Sequence, residues 1–197
     1  SNLYNLEKEG IIIKKICVYA ICKNEENFVD RWYESVKEAD GIFVLDTGST
    51  DKTREKLRKH GVVVKKKIIN PWRFDVARNE ALKMIPNEYD ICISLDLDEV
   101  MMPGWKEEIL KIWNDDIDRL KYVYNWYIEN SIPKISFYAD KIHKRIGCKW
   151  VNPVHEVLEF DHEEKQIVTD NIIINHYPDR EKSRANYLPL LELSVRE

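Results

Sequence analysis

The feature of this sequence that most constrains its fold is a short apolar run that ends abruptly in three acids. Residues 91–100 read I-C-I-S-L-D-L-D-E-V, and such a continuous apolar run is typical of a strand buried on both faces of a sheet. Because successive strand residues point to opposite faces, the pattern predicts that Asp96 and Asp98 project on the same side where the strand ends. Neighbouring carboxylates repel each other unless a cation lies beside them, and their oxygens favour Mg²⁺ or Mn²⁺. The pattern therefore predicts a divalent-cation site, with a plain polar loop as the alternative.

Composition narrows the class of protein. The chain has 197 residues, of which 44% are hydrophobic, and this suits one large domain. Its net charge of -4 gives no support for a nucleic-acid partner. The four cysteines lack C-x-x-C spacing, so we expect reduced thiols in a cytoplasmic protein. No apolar run is long enough to span a bilayer, so no transmembrane segment is expected, while attachment at a membrane surface stays open.

Strand-like and helix-like segments alternate in the first hundred residues. The pattern predicts strands at 11–22, 42–45, 62–69 and 91–95, and helices at about 28–39, 53–59 and 74–85. This alternation indicates an α/β fold with a mostly parallel, Rossmann-like sheet and helices on both faces. Because parallel strands end at a shared edge, the polar clusters at Asn24-Glu25, Asp46 and Asp96 to Asp98 are expected to converge. Asn24 is also a candidate N-cap for the first helix.

The second half of the sequence predicts a different order of helices and strands. A helix is predicted at 103–113, followed by strands at 122–128, 135–138, 141–146 and 167–175 that form a smaller antiparallel sheet. An amphipathic helix is predicted at 183–196. Without a linker or repeat, residues 11–197 are expected to form a single domain.

Two motifs invite other interpretations. Asp46-Thr47-Gly48-Ser49 has the letters of an aspartic protease loop, but that chemistry needs a second copy of the loop to share one proton. The D-L-D-E-V segment resembles the nucleophile loop of haloacid-dehalogenase-like phosphatases, with Asp96 as nucleophile. Those enzymes carry that loop on the first strand, whereas here it follows the fourth. The phosphatase stays an alternative.

Four motifs in order resemble the family-two glycosyltransferases of GT-A fold. They are A-I-C-K-N-E-E, V-L-D-T-G-S-T-D-K-T, W-R-F-D-V-A-R-N-E-A-L and S-L-D-L-D-E, and they look most like the lipooligosaccharide β-1,4-glucosyltransferase-like branch. The resemblance implies metal-dependent, inverting transfer of a sugar from a UDP-sugar, with UDP-glucose as first candidate. The acceptor would be a hydroxyl on a glycan, a lipid-linked saccharide or a protein. Residues 11–105 would bind the nucleotide sugar, and 106–182 would form the acceptor side.

The resemblance also implies roles for donor-site residues. Ala20, Asn24 and Glu25 would line the nucleobase pocket. Asp46 would accept the N3–H of uracil, with a turn-forming aspartate as the alternative. The remaining donor-site residues are Arg78 and Asn79, which would face the diphosphate, and Asp96, which would hold the ribose or a metal-bound water. For Arg78 the alternative is a surface salt-bridge partner.

The resemblance implies a metal shell and a base as well. Asp98 would bind the ion directly, and His176 would complete the shell, which would favour Mn²⁺ over Mg²⁺. Glu156 is the predicted base that takes a proton from the acceptor hydroxyl. His155 is its rival, with Asp140 behind it, because this chain reads H-E where many relatives read E-D.

Three further expectations complete the sequence-based account. Trp126, Trp150 and Pro153 would form an aromatic and apolar wall for the acceptor, with a place in the core as the alternative. The apolar stripe in residues 183–197 would suit a homodimer or a longer C-terminal extension. A nucleotide-sugar-binding module that has lost its base is the non-catalytic alternative.

Overall fold

The computed structural model describes residues 13–179, and every structural statement below concerns that part of the chain. The predicted helix at 183–196 lies outside it. The four helices are α1 (Val29–Val36), α2 (Thr53–Lys59), α3 (Phe74–Lys83) and α4 (Trp105–Ile112). The strands are β1 (Ile16–Cys22), β2 (Gly41–Asp46), β3 (Val63–Lys66), β4 (Ile91–Ser94), β5 (Glu99–Met101), β6 (Arg119–Glu129), β7 (Ile132–Lys144), β8 (Cys148–Val151), β9 (Val157–Phe160) and β10 (Gln166–His176).

The predicted α/β fold class is confirmed, but the main sheet is mixed rather than mostly parallel. Its eight strands run in the order β3-β2-β1-β4-β7-β6-β10-β5. The first four are parallel, whereas β7 is antiparallel to both β4 and β6. The reason is local: β6 and β7 are joined by Asn130 and Ser131, which have φ values of 51° and 62°. A two-residue turn of this kind can only return the chain as an antiparallel hairpin.

Helices cover both faces of the sheet, as predicted. Strand β1 is buried along its whole length, and alternate side chains enter different cores. Ile16 and Val18 pack in the cluster that holds Trp32 of α1, whereas Cys17 and Tyr19 pack in the cluster that includes α3. The second cluster also includes residues of β8 and β9, which pair as a separate two-stranded sheet.

Some local predictions were wrong. Asn24 does not cap α1: the helix begins after Phe28, and Asn24 adopts a φ of 52° and accepts a hydrogen bond from the backbone N–H of Thr50. The two strands predicted at 135–138 and 141–146 form one strand, β7. Strands β5, β8 and β9 were missed because each has only three or four residues, too few to show a periodic pattern.

A chain of buried hydrogen bonds fastens the β8–β9 hairpin to the sheet. Trp150 Nε1–H donates to the Tyr19 hydroxyl at 2.9 Å, and this hydroxyl lies 2.7 Å from His143 Nε2. His143 Nδ1 lies 2.7 Å from the carbonyl oxygen of Lys144, so Nδ1 carries the proton and Nε2 accepts one from Tyr19. The three side chains are at most 2% exposed. The network therefore requires a neutral His143.

This network predicts a pH-dependent stability. Burial, together with the charges of Arg119 and Arg145, lowers the pKa of His143 from 6.5 to about 4, although the hydrogen bond to the Lys144 carbonyl acts to raise it. Between these pH values the unfolded chain binds a proton that the folded chain excludes, so the contribution of His143 is complete above pH 6.5 and is lost as the pH falls towards 4. Urea unfolding should show the free-energy difference between wild type and His143→Gln shrinking by about 3 kcal/mol from pH 7 to pH 4. A difference that stays constant with pH would contradict a buried neutral histidine.

Candidate functional site

The three acids that follow β4 lie on a tight turn. Strand β4 ends at Ser94, and the N–H of Glu99 donates to the carbonyl of Asp96 at 3.0 Å. Asp96 and Asp98 therefore lie just beyond the end of the strand, as predicted, with the buried Leu97 between them. Ligand oxygens of Asp96, Asp98 and Glu99 all lie within 4.8 Å of one another. We call these three residues the acid cluster.

Glu99 is the member of the acid cluster that the sequence-based prediction missed. Its side chain is buried, Oε1 accepts the backbone N–H of Asp96 at 2.7 Å, and the hydroxyl of Tyr124 also hydrogen-bonds to it. Burial and the negative charge of Asp96 raise the pKa of Glu99 to about 7. The sequence did contain a signal for Glu99, because it is the third acid of the D-L-D-E motif that includes Asp96 and Asp98.

Strand β10 brings His176 to the acid cluster. His176 lies opposite Glu99 in the antiparallel β10–β5 pair, and its Nε2 is 3.1 Å from Asp98 Oδ2. Its Nδ1 lies 3.1 Å from the carbonyl oxygen of Trp126, which fixes the ring. Burial acts to lower the pKa of His176, but the hydrogen bond and charge of Asp98 raise it overall. The juxtaposition of residues 98 and 176 is thus present in the structure.

Arg78 of α3 joins the acid cluster to the β8–β9 hairpin. Its Nη1 and Nη2 donate to the two oxygens of Asp96 at 2.8 and 3.0 Å, and its Nε donates to Glu156 Oε1 at 2.6 Å. The guanidinium also lies over the ring of Trp150, 5.3 Å from its centre. Burial acts to raise the pKa of Asp96, but the charge and hydrogen bonds of Arg78 lower it to about 2. Arg78 is only 3% exposed, so it is a buried ion-pair centre and not the surface partner considered from sequence.

The β8–β9 loop carries Glu156 into the site. The carbonyl of Pro153 accepts the N–H of Phe74 at the start of α3, which ties the loop to that helix. The side chain of Glu156 is one-tenth exposed (10%). His155 next to it is exposed and has a φ of 53°. Both predicted base candidates therefore lie on this loop, but only Glu156 contacts Arg78.

The loops that follow β1 and β2, which we call the clasped loops, are hydrogen-bonded to each other. The backbone N–H groups of Asn24 and Glu25 donate to the hydroxyls of Ser49 and Thr53, each at 2.9 Å. Asp46 is fully buried, and its Oδ1 accepts hydrogen bonds from the backbone of its own turn and from Arg54. Burial acts to raise the pKa of Asp46, but these hydrogen bonds lower it overall. In this structure Asp46 holds its loop, and its contact with uracil stays a prediction.

Two donor-site candidates lie elsewhere. Ala20 is fully buried in the core cluster beneath α1, so its side chain lines no open pocket. The amide of Asn79 both donates to and accepts from the backbone of Trp150, at 2.8 Å in each case. Its amide therefore supports the hairpin, and the structure does not turn it towards a diphosphate.

Candidates on the acceptor side also need correction. Trp150 and Pro153 are buried, so the predicted acceptor wall is wrong for these two residues, whereas Trp126 is 43% exposed. Asp140 pairs with Arg119 at 3.0 Å, which gives it a partner outside the acid cluster.

Two further observations on the described residues concern membrane-spanning helices and the cysteines. No helix there is long and apolar enough to cross a membrane. All four cysteines are free thiols, including Cys17 and Cys92, whose sulfurs lie 3.4 Å apart.

Comparisons with known proteins complete the description of the site. A search among curated proteins finds no match. Partly similar solved structures include glucosyl-3-phosphoglycerate synthase from Mycobacterium tuberculosis in complex with Mn²⁺ and UDP-glucose, with a TM-score of 0.47 and 22% identity, covering 56% of this chain and 44% of that one. TarS from S. aureus has a TM-score of 0.46 and 22% identity, covering 59% of this chain and 22% of that one. This chain therefore spans less than half the length of each of these two proteins.

The sequence itself provides the assignment to a family. The profile described as Glycosyl transferase family 2 matches residues 17–140, which is more than half of the chain and includes the acid cluster and Arg78. This chain belongs to glycosyl transferase family 2.

Proposed function

We propose that this glycosyltransferase moves a sugar from a UDP-sugar to a hydroxyl acceptor, with inversion and with the help of a divalent cation. The observation that carries the proposal is the convergence of the acid cluster with Glu156 through one buried arginine, Arg78. A donor-side carboxylate and a candidate base are thereby held on one guanidinium.

The donor set of the acid cluster fits a divalent cation. Three carboxylates crowd within 4.8 Å, and a cation relieves their mutual repulsion. Both oxygens of Asp96 are bound by Arg78, so we propose Asp98 as the direct ligand, with Glu99 and His176 beside it. Hard oxygen ligands suit Mg²⁺ or Mn²⁺, and a histidine nitrogen favours Mn²⁺. When bound, the ion would stabilise the charge that develops on the departing nucleoside diphosphate.

Glu156 is the proposed general base. Arg78 holds its Oε1, and no described residue hydrogen-bonds to its Oε2, which is therefore available to accept the proton of an acceptor hydroxyl. Action of one carboxylate as base, without a second as nucleophile, corresponds to a single displacement with inversion. His155 remains the rival, because it lies on the same loop and its ring is exposed.

The donor nucleotide is proposed from the sequence resemblance and from the clasped loops. Uracil contact by Asp46 would have to use Oδ2, which lies 3.5 Å from the thiol of Cys22. Since the side chain is fully buried, the 46–49 loop must shift to admit the base. Glucose is the first donor sugar to assay, and a glycan, a lipid-linked saccharide and a protein are the acceptor classes.

The phosphatase alternative is less well supported by the geometry. A nucleophilic aspartate needs a free oxygen to attack phosphorus, whereas both oxygens of Asp96 are hydrogen-bonded to Arg78. The non-catalytic alternative differs from the proposal in turnover alone, because it too would bind a nucleotide sugar.

The proposed metal site is tested by Asp98→Asn. We expect Mn²⁺ to strengthen UDP binding to the wild type by about tenfold or more, and Asp98→Asn to abolish this gain because the direct ligand is lost. Isothermal titration calorimetry with Mn²⁺ and with EDTA measures the gain. Asp116→Asn, at an exposed aspartate outside the acid cluster, is the matched control and should retain it. A full Mn²⁺-dependent gain in Asp98→Asn would place the ion elsewhere.

The proposed base is tested by Glu156→Gln. The amide keeps the shape and can still accept from Arg78, but it cannot take a proton, so turnover should fall by about 10²–10⁴-fold. UDP affinity should stay within about twofold of the wild type, because binding does not use the base. Sugar transfer or slow donor hydrolysis is assayed beside Glu159→Gln, an exposed glutamate on the same hairpin. Wild-type turnover in Glu156→Gln would assign the base to another residue, with His155 first.

A further inference from the structure

Arg31 on α1 lies between two aromatic rings. Its guanidinium carbon is 5.0 Å from the centre of the Phe28 ring and 5.1 Å from that of Tyr177. Arginine stacks on aromatic faces through its planar guanidinium, and such stacking limits the positions that the side chain adopts. The charge of Arg31 is therefore held in place by contacts that leave its N–H groups unused.

Arg31 is also without an anionic partner in the described part of the chain. Arg54, Arg73, Arg78 and Arg119 each form an ion pair with a carboxylate there. Arg31 forms no hydrogen bond and no ion pair with any described residue. Arg31 is an exposed residue, and its partial burial between the two rings lowers its pKa, so its N–H groups remain open to a ligand from solvent. Groups in this state favour an external anion.

The position of Arg31 indicates which anion this is. The charge of Asp98 acts on Arg31 through space, although the two are not paired. Tyr177, one of the two stacking rings, donates its backbone N–H to the carbonyl of Asp98 at 2.8 Å. Arg31 therefore lies beside the acid cluster, on the side where the chain passes from His176 to Tyr177. Among residues 13–179 no carboxylate pairs with Arg31, and an anionic substrate group bound at the acid cluster would lie next to its guanidinium.

We propose that Arg31 binds the diphosphate of the nucleotide-sugar donor. The assignment rests on the proposed function, because it takes that donor to lie at the acid cluster. The guanidinium fork donates two N–H groups to phosphate oxygens, and the rings of Phe28 and Tyr177 hold it ready before the donor arrives. An anionic group on the acceptor is the other source of the same chemistry.

Paired titrations distinguish these sources. The wild type, Arg31→Gln, Arg31→Lys and Arg58→Gln are titrated calorimetrically with UDP and with uridine, which lacks phosphates, in EDTA and in Mn²⁺. Arg58 is an exposed arginine of α2 and serves as the matched control. Arg31→Gln should weaken UDP binding about tenfold and leave uridine binding within about twofold. The UDP affinity of Arg31→Lys should lie between those of the wild type and Arg31→Gln, because lysine keeps the charge but lacks the guanidinium fork. The UDP affinity of Arg58→Gln should match that of the wild type.

Two results would overturn the assignment while leaving the proposed function intact. One is wild-type UDP affinity in Arg31→Gln, which would leave an anionic acceptor group, and not the donor diphosphate, as the partner of Arg31. The other is an equal loss for UDP and uridine, which would indicate a structural role. A wild type that binds no UDP in either buffer would overturn the proposed donor, and this assignment with it.

Discussion

The buried ion pairs of Arg78 are the interaction on which the rest of the site depends. One guanidinium, 3% exposed, bonds to Asp96 and Glu156. Removing charges from water costs several kcal/mol for each ion, and good geometry on both sides is needed to offset it. The side chain of Asp96 is 32% exposed and that of Glu156 is 10% exposed, so the typical cost of about 3–5 kcal/mol for breaking a buried pair applies to Arg78 with Glu156. Helix α3, the turn after β4 and the β8–β9 loop therefore form one unit in which none can move alone.

The surroundings of this unit are built to keep it fixed. Trp32 of α1 donates its Nε1–H to the carbonyl of Leu95, one residue before the acid cluster, at 3.1 Å. On the other face of the sheet, Asn79 and the Tyr19–His143 pair hold Trp150, whose ring covers Arg78. Arg78 contacts Asp96 and His176 contacts Asp98, whereas Glu99 forms no ion pair with a described residue and its pKa is raised to about 7. The proposed divalent cation would relieve the remaining repulsion among these carboxyl groups.

The sequence predicted the features that periodicity reports. Apolar runs gave β1 to β4 and helical spacing gave α1 to α4, whereas the place of His176 beside the acids came from the family resemblance and not from the strand pattern. Periodicity reports burial and does not report side-chain partners. The pairing of Arg78 with Glu156 therefore could not be predicted, because the two are 78 positions apart and meet only through a hairpin too short to show a pattern. Asn79 was misassigned for the same reason, since a polar residue beside a site can serve the site or the backbone that supports it.

Asp46 shows a different limit. The sequence allowed either a turn-forming aspartate or a ligand to uracil, and the buried side chain with its backbone hydrogen bonds fits the first without excluding a second role after the loop shifts. A choice between such roles depends on which conformations the bound state stabilises, and neither composition nor spacing encodes that energy difference.

We propose that metal and nucleotide meet at the acid cluster next to Arg78. The most direct test is a crystal of the protein with UDP and Mn²⁺, with anomalous diffraction used to locate the ion. We expect one strong manganese peak within coordination distance of an Asp98 oxygen, with UDP reaching the same point from the clasped loops. A manganese peak at another edge of the sheet, or UDP bound away from the acid cluster, would contradict it.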